Sequence, residues 1–220
     1  MLSAGPAPVY LDIDAWPRRD AFAHFRGFDK PYFSVCTRFD VAALQDASRA
    51  VGASFSLACH FIALRLANLS EPFRYRLEAG RVRVHPVVHA STTVLRDDGS
   101  IAFAYFDDEP QFALFAERAA RAKAVACAGG FEPRVDDQAV LHFTTLPWVH
   151  FSSFSHARNW GREDAVPKFA FGRIDTDGPR RWMPLSLEVH HALMDGLQLG
   201  EYLQAFEAAL RQPQDWLGQA

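Results

Sequence analysis

Between Met183 and Leu210 the hydrophobic period switches once, from two residues to about 3.6, and no other feature constrains the fold as tightly. Leu185, Leu187 and Val189 share one face of a strand, while Ser186, Glu188 and His190 take the other. After Gly196 the apolar residues Leu199, Leu203, Phe206 and Leu210 fall on one helical stripe. His191 therefore sits where a strand turns into a helix, with Asp195 four residues further on. Such a junction can hold an imidazole at the mouth of a cleft. Adjacent histidines at a strand end point in opposite directions. His190 and His191 are thus poorly placed to share an ion, and no metal is expected.

The rest of the chain supplies helices and strands in uneven order. Asp40 is a candidate cap for a helix carrying Val41, Leu44 and Ala47, and a more apolar helix is expected over 54–68, ended by Glu71-Pro72. A third is expected from Asp108, with Pro110 in its first turn and Phe112 and Phe115 following. Strands are expected at 32–37, 92–95, 101–106, 141–145, 168–174 and 182–190. Asp97-Asp98-Gly99-Ser100 and Asp177-Gly178-Pro179 mark two hairpins. This pattern favours an α+β fold, with a mixed, largely antiparallel sheet covered by helices, over a doubly wound parallel one. No GxGxxG or Walker sequence occurs, and no repeat or linker divides residues 1–220, so one domain is expected.

Composition narrows the function classes. With 220 residues, 49% of them hydrophobic, the chain can bury a full core. A net charge of -3 argues against a nucleic-acid-binding face. No run of about 18 apolar residues suggests a membrane span. Met1 to Tyr10 lacks a basic region followed by an apolar stretch, so a cytoplasmic protein is expected. Cys36, Cys59 and Cys127 are odd in number and form no CxxC pair, which favours reduced thiols over a disulfide framework. Nineteen phenylalanines must mostly be core, yet that supply also suits a pocket for an apolar ligand.

A neutral imidazole can take a proton from a hydroxyl near pH 7. On spacing alone, His191 and Asp195 read more readily as a buried histidine beside a helix-capping aspartate. The wider pattern adds to this. His190-His191-Ala192-Leu193-Met194-Asp195-Gly196 resembles the HHxxxDG signature of the chloramphenicol acetyltransferase family, whose relatives include dihydrolipoamide acyltransferases and peptide-synthetase condensation domains. Trp16-Pro17-Arg18-Arg19-Asp20-Ala21-Phe22, Leu146-Pro147-Trp148-Val149 with Phe151 and Phe154, and Met183 to Val189 resemble three further blocks of that family, in the same order. The resemblance covers about residues 10–211.

The resemblance implies a two-layer acetyltransferase sandwich and an acyltransferase that uses acetyl-CoA as co-substrate. It implies that His191 is the general base and that Asp195 is a structural residue paired with Arg18. Thr144 falls where the family carries a serine that stabilises the oxyanion, and Trp148 would lie near the coenzyme. His24, Phe25, Phe33, His142 and Ala170 fall at acceptor-pocket positions. Of these, only Phe33 keeps the family's residue, so the acceptor, chloramphenicol being one candidate, is left open. The family is a trimer whose histidine comes from one chain and much of whose acceptor pocket comes from its neighbour. A homotrimer acting on a small hydroxyl acceptor, with no nucleic acid or membrane partner, is therefore expected. Thr144 and Ala170 also admit a second reading, a non-catalytic or altered-specificity member that binds an apolar ligand.

Overall fold

The computed structural model describes residues 7–134, 137–158 and 163–218. Its main sheet contains β2 (Tyr32–Asp40), β5 (His89–Leu95), β6 (Ile101–Phe106), β7 (Val140–Leu146), β8 (Lys168–Gly172) and β10 (Arg180–His190), in the spatial order β2-β10-β8-β7-β5-β6. Short β9 (Asp175–Asp177) pairs with the start of β10. Among the described residues, β5–β7 and β7–β8 are parallel and every other pairing is antiparallel. A small second sheet joins β1 (Val9–Tyr10), β4 (Arg81–Val84) and β3 (Tyr75–Glu78). The expected α+β class with a mixed, mainly antiparallel sheet is what the chain adopts.

One face of the main sheet is covered by α2 (Ala42–Ala50), α3 (Phe55–Leu69), α4 (Phe112–Ala128), α5 (Gly196–Arg211) and α6 (Gln214–Leu217), while α1 (Arg19–Phe25) packs with the small sheet. The core follows from alternation. Leu185, Leu187 and Val189 of β10 meet Phe169 and Phe171 of β8 and Leu141 and Phe143 of β7, all buried on the helix side. α3 is buried nearly all round, from Leu57 to Ala67, because it lies between the sheet and its fellow helices. Its first turn is capped by Ser54, whose hydroxyl accepts from the Leu57 amide.

The opposite face carries polar residues in two rows fixed by the register. His142, Lys168, Glu188 and Ser34 lie side by side across β7, β8, β10 and β2; Thr144, Ala170, Ser186 and Cys36 form the next row.

Two expectations are corrected, and one part of the fold was unforeseen. α4 begins at Phe112, not Asp108. Asp108 is instead held in place by an ion pair to Arg65 at 2.5 Å and by its amide donating to His89 Nδ1 at 3.2 Å. The second hairpin is not one turn between two long strands: β8 ends at Gly172, and β9 makes the tight connection to β10 through Gly178 at φ 56°. The small sheet and α1 were not anticipated. The β3–β4 turn rests on Ala79 and Gly80, both with positive φ, and only the glycine favours that region.

Candidate active site

The turn after β10 is fastened by its own backbone. The His191 amide donates to the Pro31 carbonyl at 2.7 Å, tying it to the entry of β2. The Leu193 and Met194 amides donate to the His190 carbonyl, and the Asp195 amide donates to Gln198 Oε1 at 2.8 Å. Onto this turn closes Arg18. Its Nε and Nη2 donate to the two Asp195 carboxylate oxygens at 2.8 and 2.5 Å, while Nη1 and Nη2 also donate to the carbonyls of Ala192 and His191. The Arg18 side chain is 13% exposed and lies over the Trp16 ring. Its hydrogen bonds, with its charge, hold the Asp195 carboxyl below the usual range. A planar guanidinium fork suits this double task in a way an ammonium would not.

The His191 imidazole is positioned by aromatic rings. It stacks face to face on Phe25, with centroids 3.8 Å apart and planes 8° from parallel, and lies 4.6 Å from the Phe33 ring. Nδ1 is buried, 3.4 Å from Asp195 Oδ1 but without hydrogen-bond geometry. Exposed His24 packs against the far side of this group, 4.9 Å from Phe25. His190 points into the protein, edge-on to Tyr32, and burial lowers its pKa to about 4.

Thr144, His142 and Ala170 lie elsewhere. They stand on the polar face of the main sheet, where Thr144 is opposite Ala170 and Ala170 opposite Ser186. Ser186 precedes His191 by five strand residues, roughly 16 Å at the usual rise per residue. Within one protomer the imidazole and the threonine hydroxyl therefore do not meet. His142 is neutral near pH 7, because burial beside Lys168 pushes its pKa to about 4. Ala170 is fully buried, and Trp148 is 62% exposed on the loop after β7.

The structure also supplies groups that sequence reasoning missed. Pro31 anchors the His191 turn through a carbonyl, an interaction any residue could make and no motif announces. A cavity of about 370 Å³ opens on the helix side of the sheet, between Phe55, Cys59, His60 and Met183, with Thr145 and Arg173 at its wall. His60 Nε2 lies 3.4 Å from the Thr145 hydroxyl there.

The fold and this clamp invite comparison with known proteins. The chloramphenicol acetyltransferase family model matches residues 9–207. The chain belongs to the chloramphenicol acetyltransferase family. It is 30% identical to a chloramphenicol acetyltransferase from Streptomyces acrimycini, covering 96% of this chain and 98% of the relative. It is 26% identical to chloramphenicol acetyltransferase 2 from Escherichia coli, covering 90% and 94%. A solved chloramphenicol acetyltransferase superposes with a TM-score of 0.85 at 23% identity, over 93% of this chain and all of the other. A probable dihydrolipoamide acetyltransferase from Listeria monocytogenes superposes with a TM-score of 0.66 at 15% identity, over 96% of each, and shares the fold. As a member of the chloramphenicol acetyltransferase family, the protein is an acyltransferase.

Proposed function

We propose that the protein transfers the acetyl group of acetyl-CoA to the hydroxyl of a small acceptor, with His191 as general base. The observation that carries this is the mounting of His191: an imidazole stacked on Phe25 and flanked by Phe33, on a turn clamped by Arg18, in a chain of an acyltransferase family. With Nδ1 buried, Nε2 is the atom left to take the acceptor's proton. The freed alkoxide attacks the thioester carbonyl. The resulting oxyanion receives the Thr144 hydroxyl, and collapse expels the coenzyme thiolate, to which the imidazolium returns the proton.

Thr144 lies two strands from Ser186, which is itself roughly 16 Å along β10 from His191; this separation supports a site shared between chains, His191 from one protomer and Thr144 from its neighbour. A homotrimer is the family's way of achieving this. Trp148, exposed on the loop after β7 and four residues beyond Thr144, supports an approach of the coenzyme from that end of the strand. Chloramphenicol is the first acceptor to test. Buried Ala170 and neutral His142 next to Thr144 support a changed acceptor preference as the second reading.

The test is thiol release from acetyl-CoA with a panel of hydroxyl acceptors. Release is expected from the native protein and not from His191→Ala. Equal release by the variant would reject His191 as base.

A further inference from the structure

Four charged side chains cluster on the polar face of the main sheet, away from the Arg18 clamp. Arg158, on the loop after β7, has a side chain only 2% exposed. Its Nε donates to Glu188 Oε1 at 2.7 Å, and its Nη1 donates to Asp164 Oδ1 at 3.1 Å and to the Val166 carbonyl at 3.1 Å. Lys168 completes the set through Asp164 Oδ2, at 3.0 Å, and the Ala157 carbonyl. Two cations and two carboxylates balance.

Arg158 also touches both strands that carry the His191 turn. Glu188 lies three residues before His191 on β10, and the guanidinium sits 4.1 Å over the ring of Tyr32, the first residue of β2. Tyr32 follows Pro31, whose carbonyl receives the His191 amide, and its ring meets His190 edge-on. Its hydroxyl donates to the Asp164 carbonyl at 2.7 Å, closing a ring of contacts around the guanidinium. The Lys168 ammonium reaches Asp164 and the Ala157 carbonyl and, among the described residues, makes no side-chain hydrogen bond to Tyr32 or Glu188, although its backbone lies opposite Glu188.

We propose that Arg158 is a positioning residue that sets the placement of His191 by bracing Tyr32 and Glu188 together. This rests on the acyl transfer proposed above for its kinetic consequence, though not for its structural one. One guanidinium holds Glu188, Asp164 and the Tyr32 face at once because its donors and its plane are separate surfaces. An ammonium at the same place meets one or two of these demands. The strand ends then shift by fractions of an ångström, and the imidazole moves with them.

The test compares Arg158→Lys with Lys168→Met, which removes a charge from the same cluster, beside Glu188 in the sheet, without removing a side-chain hydrogen bond to Tyr32 or Glu188. The His191 ring signals are followed by ¹H–¹⁵N NMR, and turnover is measured per folded protein. Arg158→Lys is expected to shift the His191 ring signals and to lower kcat on the order of 10²-fold, with KM for acetyl-CoA little changed. Lys168→Met is expected to leave both near native. Unmoved His191 signals in Arg158→Lys, or equal effects of the two substitutions, would overturn the proposal. Should Arg158→Lys not fold, Glu188→Gln is read by the same criteria. A native protein inactive toward every acceptor would count against the acyl-transfer reading alone, because the ring signals still decide the role of Arg158.

Discussion

Asp195 shows how much one carboxylate can do without touching a substrate. Both its oxygens accept from Arg18, which also holds the carbonyls of His191 and Ala192, so the pair fixes the backbone beneath the imidazole. Asp195→Asn is expected to cost about 1–3 kcal/mol, less than a fully buried pair, because 37% of the Asp195 side chain remains in water. The cost should depend on pH in one direction. The folded carboxyl is held below its ordinary value, so its stabilisation is complete at neutral pH and fades as pH falls through that lowered value. Denaturant melts of both proteins at pH 7 and pH 3 measure this. An equal difference at the two pH values would show that charge is not the source.

At the scale of elements, the crowding where β8 ends is a clear target. A Cβ on Gly172 would lie 2.5 Å from Pro184 Cγ and 2.8 Å from a Phe151 ring carbon. Gly172→Ala should therefore cost about 1–3 kcal/mol and displace the Phe151 loop, a loss read from equilibrium unfolding. A change of only a few tenths would mean that the loop gives way freely. Legibility differed among the elements for physical reasons. β10 and α5 were readable because each presents a single apolar face and the period changes between them. β3 and β4 were not: each alternates apolar and charged residues, but over only four positions, the shortest run that carries the signal, and Arg76 is buried there on four backbone carbonyls although its type reads as surface. The site was half legible. The junction placed His191 at a strand-to-helix turn, but its role as base and the pairing of Asp195 with Arg18 have no local signal and came only through the family pattern. Arg158 lies in a loop without periodicity, so nothing in the sequence tied it to Glu188.

For the whole molecule, the proposed roles of His191 and Thr144, which do not meet within one protomer, predict that activity requires assembly. Mixed oligomers of His191→Ala and Thr144→Ala protomers are expected to regain activity that neither variant has alone, because some interfaces then pair an intact histidine with an intact threonine. A mixture no more active than the average of its parents would place both groups in one chain's site. The Arg18–Asp195 clamp has a further consequence, one of timing. Its partners are 177 residues apart. At typical synthesis rates roughly 9–35 s pass between the appearance of the arginine and that of the aspartate. Throughout that interval Arg18 has no carboxylate partner, so the clamp that fastens the His191 turn can close only after nearly the whole chain has been made.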